Sequence, residues 1–104
     1  MIECLEASAD AQVLMVTWDN GQQSVLPARL LRQEARDADS LRERIENGAV
    51  TVAPGVRITG LFEVGGYGVN IHFSDGHDRA IYPYTYIRDL CADNGSDVPA
   101  SNDN

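Results

Sequence analysis

One run of features occurs twice in this 104-residue chain, and the repetition restricts the fold more tightly than composition does. Trp18-Asp19-Asn20-Gly21 matches Phe73-Ser74-Asp75-Gly76 at an offset of 55 residues. From Pro27 the offset becomes 56, pairing Pro27 with Pro83, Leu31 with Ile87 and Arg32 with Arg88. Each copy reads as strand, tight turn, strand, proline and short helix. Neither copy can cover its own sheet with a single short helix, so the two together are expected to share a core. The predicted class is α+β: two related β-β-α units forming a mainly antiparallel sheet with short helices on one face. The sequence leaves open whether the units pair into one continuous sheet.

In the first copy, residues 12–18 alternate Leu14, Val16 and Trp18 with Val13, Met15 and Thr17, the two-residue period of a strand. Asp19-Asn20-Gly21 tolerates the positive φ of a tight turn, and Gln22 to Leu26 returns as the partner strand. Pro27 suits the first turn of a helix over Ala28–Arg36, with Leu30 and Leu31 inward and the arginines outward. Ser40 and Glu43 stand at capping-box spacing ahead of Leu41 and Ile45, which predicts a second short helix stopped by Asn47-Gly48.

From Val56 the alternation resumes, with Val56, Ile58, Phe62 and Val64 expected on one face. Gly65-Gly66 then marks a hairpin. Tyr67, Val69, Ile71 and Phe73 are expected to face the core, with Asn70 and His72 outward. Ala80–Tyr82 pairs back, and Pro83 opens a helix that carries Tyr86, Ile87 and Leu90 inward. Residues 1–92 read as one domain and 93–104, rich in Asp, Asn and Ser, as a disordered tail.

Charge excludes several functions. The chain has eight arginines, sixteen acidic residues and no lysine, a net charge of −8. Schiff-base, phosphate-loop and general-base lysines are therefore ruled out. A chain this acidic does not suit nucleic-acid backbones, which need a basic face. No apolar run approaches membrane-spanning length, and the N-terminus carries no basic start or apolar stretch of a secretory signal. Cys4 and Cys91 are too few and too far apart for a disulfide scaffold or a paired-cysteine metal motif, which points to reduced thiols in the cytoplasm.

Candidate functional residues gather between Tyr67 and Arg88, a stretch that holds both histidines and all four tyrosines. His77 reads either as a metal ligand or partner contact, or as a turn histidine bonded to Asp75, Asp78 or backbone. Tyr84 with Arg79 and Arg88 is the candidate contact patch, because exposed tyrosine and arginine favour interfaces. Ser74, His77 and Asp75 supply the residue types of a hydrolytic triad, but neighbours within one turn cannot aim at one another as a triad requires. Gly65-Gly66-Tyr67-Gly68 leads into no helix, so it lacks the geometry of a phosphate cradle. No catalytic constellation and no cofactor site is expected.

The motifs W-D-N-G with P-A-R-L-L-R, at Trp18–Gly21 and Pro27–Arg32, and F-S-D-G-H with I-Y-P-Y-T-Y-I-R-D-L, at Phe73–His77 and Ile81–Leu90, resemble the gamma-butyrobetaine hydroxylase-like N-terminal domain family. The resemblance spans residues 12–90 and implies three settings. In gamma-butyrobetaine hydroxylase and its relatives the domain precedes a 2-oxoglutarate oxygenase domain and carries a structural zinc. Cysteines just after the Leu-Arg pair and the histidine of the Asp-Gly-His turn, here Asp75-Gly76-His77, hold that metal. Other members are joined to iron–sulfur carrier ATPases, and many bacterial members stand alone. This chain departs from the zinc pattern: after Leu31-Arg32 it reads QEARDADSL, with no cysteine. Only His77 maps onto a ligand, and one imidazole cannot hold a structural zinc. Oxygenase chemistry belongs to a domain that these residues do not form. The resemblance therefore implies an accessory domain for a protein partner, an iron–sulfur carrier ATPase or an oxygenase, with a metal-binding domain centred on His77 as the alternative.

Overall fold

A computed structural model describes residues 1–94 and 96–98. The elements in order are β1 (Ile2–Ala7), β2 (Val13–Trp18), β3 (Gln23–Pro27), α1 (Ala28–Gln33), α2 (Ala38–Asn47), β4 (Ile58–Val64), β5 (Gly68–Phe73), β6 (Ile81–Pro83), α3 (Tyr84–Asn94) and β7 (Ser96–Val98). The class is α+β, and the strands divide into two antiparallel sheets, β1-β2-β3-β7 and β4-β5-β6.

The repeat is visible bond by bond at the two turns. Trp18 N–H donates to Gln22 O, as Phe73 N–H donates to His77 O. Gly21 and Gly76 donate back to Trp18 and Phe73, at φ of 88° and 89°. Inside each turn a side-chain oxygen accepts from the backbone two residues on: Asn20 from Gln22, and Asp75 from His77, both at 2.9 Å. These are Asx turns, which explains the choice of Asn and Asp at equivalent places.

Leu14, Val16, Leu26, Leu31, Ile71, Tyr82 and Ile87 lie fully buried in one core that draws on both units. The second unit closes over the end of the first unit's helix. The last carbonyls of a helix have no partner within it, and α1 is only six residues long. Tyr82 and Tyr86 donate phenolic hydrogen bonds to the carbonyls of Leu31 (2.5 Å) and Glu34 (2.6 Å). Arg44, from α2, donates to the carbonyls of Gln33 and Ala35. Arg36 stacks over the Tyr86 ring at 3.7 Å, a cation–π contact.

Five sequence expectations are corrected. Arg32 does not point outward with the other arginines of α1; it is buried. The N-cap of α2 is Asp37, whose carboxylate accepts from Ser40 N–H, so Ser40 sits inside the helix and Glu43 binds Thr51 N–H. Leu41 and Ile45 face solvent, 44% and 84% exposed, because the inward side of α2 is the polar one that carries Ser40 and Arg44. A β-bulge between Ile58 and Gly60 shifts the register of β4, turning Leu61 toward the core and leaving Phe62 exposed; one extra residue reverses every later face. Tyr67 belongs to the hairpin turn, where its N–H bonds Val64 O, and it too is exposed.

Two further elements had no sequence expectation behind them. β1 was not predicted, and it forms the outer strand beside β2. Within the segment expected to be a disordered tail, residues 93 and 94 end α3 and Ser96–Val98 form β7 at the edge of β3; that pairing is backbone to backbone and needs no apolar pattern. The remainder of the predicted tail, residues 99–104, lies outside the described residues.

Candidate functional site

Two places combine chemistry with accessible geometry. The first is the Asp75-Gly76-His77 turn, which packs on the connection between α1 and α2. Asp75 uses one carboxylate oxygen for the turn and the other to accept from Arg32 Nε at 2.9 Å. Arg32 Nη1 donates to Ser40 Oγ (3.3 Å), and Ser40 Oγ donates to Asp37 Oδ1 (2.7 Å). His77 Nε2 lies 2.8 Å from the same Asp37 oxygen. A carboxylate only accepts, so Nε2 carries the proton in this contact. The ring of bonds is closed: Asp75, Arg32, Ser40, Asp37 and His77, back to Asp75 through the His77 N–H. Exposure of the Arg32, Asp37, Asp75 and His77 side chains runs from 6% for Asp37 to 19% for Asp75.

Burial alone would raise both carboxyl groups. Hydrogen bonds from Ser40 and His77 outweigh it at Asp37 and hold that group below its ordinary value. At Asp75 the His77 N–H and the Arg32 guanidinium do the same. Both residues are thus carboxylates at neutral pH.

A zinc ion does not fit this site. The nitrogen of His77 that faces the cluster points its proton, not a lone pair, at Asp37. Arg32 already places a cation between the two carboxylates, and a second, divalent charge would be repelled at this range. Among the described residues no three His, Cys, Asp or Glu side chains converge on one point. His72 does not join His77: its Nε2 meets Asn70 Oδ1 at 2.7 Å, while Asn70 donates to the carbonyls of Asp78 and Ala80 and so pins the β5–β6 connection. Ser74 Oγ accepts from Arg57 N–H, which leaves Ser74, Asp75 and His77 without triad geometry.

The second place is a cleft where β1 meets α3. Met1, Ile2, Trp18, Tyr84, Thr85 and Arg88 line a concavity of about 270 Å³. Trp18 and Arg88 continue into a neighbouring one of about 300 Å³ beside Ser24 and Cys91. Ile2 and Tyr84 lead the other way, into about 370 Å³ between β1 and β4, bounded by Glu3, Leu61 and Glu63. Trp18 Nε1 donates to Ser24 Oγ at 2.9 Å, which sets the indole in the wall. The Tyr84 hydroxyl leans on Glu63 at 3.4 Å, and burial and that carboxylate raise it above its ordinary value. Arg88 makes a loose 3.8 Å contact with its neighbour Asp89.

Of the patch expected from sequence, Tyr84 and Arg88 stand one turn apart on α3 and share the cleft wall. Arg79 does not join them; it sits at the far end of β6, in the loop from β5. Sequence reasoning missed Arg32, Asp37, Ser40, Trp18 and Ile2. The Asp-x-x-Ser spacing of Asp37 and Ser40 is an N-cap signal that identifies the start of α2; nothing local marks Arg32 as the buried member of the Arg32–Arg88 pair. Cys4 is exposed, Cys91 is buried, and neither is in a disulfide.

The profile of the family described as gamma-butyrobetaine hydroxylase-like, N-terminal, matches residues 5–88. Among solved structures, the chain is similar to a crystal structure of a protein of unknown function from Acidithiobacillus ferrooxidans ATCC 23270, assigned to the DUF971 family. The two are 29% identical, with 88% of this chain and 93% of that one covered and a TM-score of 0.67. A solution structure determined by NMR is 30% identical over 88% of this chain and 68% of that one, at a TM-score of 0.66. A second NMR structure, 20% identical over 88% and 73% of the two chains at a TM-score of 0.66, shares the fold. No curated protein matches.

Proposed function

Because the chain belongs to the gamma-butyrobetaine hydroxylase-like N-terminal family, we propose that it is a non-enzymatic accessory domain that docks a protein partner in the cleft between β1 and α3. The observation that carries this reading is the lining of that cleft: Trp18, Tyr84 and Arg88 on one continuous wall. These three residue types dominate binding energy at interfaces, and side by side in a concavity they form an anchor site. The partner that fits is an extended segment with basic residues. Glu3 and Glu63 bound the far end of the cleft without a cation of their own among the described residues, and the chain's charge of −8 favours such an encounter. Family resemblance offers an iron–sulfur carrier ATPase or an oxygenase as that partner, in the cytoplasm. Arg79 is not part of the docking wall. A metal-binding role centred on His77 has less support, since that ring is already engaged with Asp37.

The test is native mass spectrometry of the chain purified from its own cells, followed by affinity measurement with the partner so identified. Tyr84→Ala with Arg88→Glu weakens binding at least tenfold, while Arg79→Glu changes it less than twofold. Equal affinity of the cleft variant and the wild type refutes the assignment.

A further inference from the structure

We propose that the Arg32 guanidinium is the cation that locks α1, α2 and the Asp75-Gly76-His77 turn together, and that these residues do not take the structural zinc that the family resemblance implies for the turn histidine. Arg32 leaves α1 near its C-terminal end. Its Nε reaches the turn through Asp75, and its Nη1 reaches α2 through Ser40. The second carboxylate, Asp37, caps α2 and takes the His77 ring, so that both the carboxylate and the imidazole of the turn are tied to the α1–α2 connection. A metal joins segments by drawing several donors onto one positive centre. A guanidinium does the same with directed N–H donors, and it is always charged and tolerates burial beside carboxylates. Every buried side-chain nitrogen and oxygen among the described residues has a hydrogen-bond partner, so the network is complete without a further ligand. The domain therefore keeps its fold independently of metal, unlike a zinc-clasped structure that a chelator unfolds.

The two turns of the repeat supply a clean variant. Asn20 makes the same turn bond in the first unit that Asp75 makes in the second. Asp75→Asn therefore keeps the turn bond, while its amide nitrogen replaces the oxygen that accepts from Arg32, so the charge and the hydrogen bond to Arg32 are lost together. The full chain is melted with and without EDTA, and the midpoint stays within about 1 °C. Asp75→Asn lowers it by roughly 5 °C, a figure reduced for the partial exposure of the pair. Arg32→Met lowers it by roughly 10 °C, because Asp75 and Ser40 both lose their partner. The double variant melts no lower than Arg32→Met alone, since the two act through one contact. A chelator-induced drop, stoichiometric zinc uptake that disappears in His77→Ala, or additive shifts in the double variant would each overturn the proposal. If Arg32→Met does not fold, Asp75→Asn and the chelator comparison decide it.

Discussion

Tyr82→Phe tests whether the second unit holds the first unit's helix by hydrogen bonding or by packing alone. The hydroxyl is fully buried and donates to the Leu31 carbonyl at 2.5 Å. In a longer helix that carbonyl would take the Ala35 N–H, but here Ala35 turns to Arg32 O at 3.4 Å, leaving the phenol to satisfy Leu31. Burial raises the phenol well above its ordinary value, so it remains a donor throughout the working pH range. Removing the hydroxyl leaves the ring and its stacking on Tyr86 intact but strands a buried carbonyl, at a cost of about 2 kcal/mol. For a domain of this size that is roughly 10 °C in melting midpoint. The control is Tyr86→Phe. Its bond to Glu34 lies in a half-buried position, so water can replace the lost donor and the cost is about 0.5–1 kcal/mol. Equilibrium urea unfolding reads both variants, with an unchanged slope as the check that the unfolded states are comparable. A Tyr82→Phe loss equal to or smaller than that of Tyr86→Phe would refute the assignment.

Glycine substitutions separate backbone crowding from side-chain crowding. A Cβ at Gly68 would stand 2.8 Å from Tyr82 O and 3.0 Å from Pro83 Cα, so Gly68→Ala destabilises by about 1–3 kcal/mol in urea unfolding. A Cβ at Gly60 meets the exposed Phe62 ring at 2.6 Å; the ring swings aside, and Gly60→Ala costs less than about 1 kcal/mol. Acid stability follows Asp37 and Asp75, whose folded values lie below the ordinary 3.8. Their contribution is present above that pH and fades as pH falls through the lower folded values, and Asp75→Asn flattens the slope of urea midpoint against pH there. Tyr82, raised by burial, contributes fully below its ordinary 10.0 and loses that contribution as pH rises beyond it, so Tyr82→Phe flattens the alkaline slope. Asn20→Asp keeps the first turn and leaves the melting midpoint within about 2 °C, because Asn20 is exposed and spends its side chain on Gln22 within the turn.

The repeat and the strand–turn–strand pattern were legible in sequence because each depends on local chemistry: alternation in β2 and β5, positive φ at Gly21 and Gly76, and proline ahead of α1 and α3. The inward set of α3, Tyr86, Ile87 and Leu90, was legible for the same reason. What failed depended on residues far apart in the chain. Leu41 and Ile45 look like a core stripe, yet α2 is held by polar bonds to the end of α1, 9 to 11 residues back from Arg44. Arg32 looks like a surface residue, and only the carboxylate 43 positions away makes its burial tolerable. The bulge that turns Phe62 outward carries no local mark beyond Gly60. Tyr84 and Arg88 were found because they lie one helical turn apart, whereas Trp18 and Ile2 join them only through the packing of β1 and β2 against α3.

The repeat also explains why the buried network formed at the second turn rather than the first. Their backbone bonds are the same, so turn geometry cannot be the difference. Asn20 and Gln22 spend their side chains on each other in solvent, at 3.1 Å. Asp75 and His77 lie against α1 and α2, because the end of α1 and the connection after it fold back over the second unit, where Tyr82 and Tyr86 donate to the carbonyls of Leu31 and Glu34. That closure brings Arg32 and Asp37 to the second turn. Charge at the second turn is thus a consequence of how one unit caps the other. Two carboxylates, Asp37 and Asp75, are brought together there with little exposure; hydrogen bonds from Ser40 and His77 offset burial at Asp37, while Asp75 has a positive group beside it as well. Arg32 supplies it from the helix being capped.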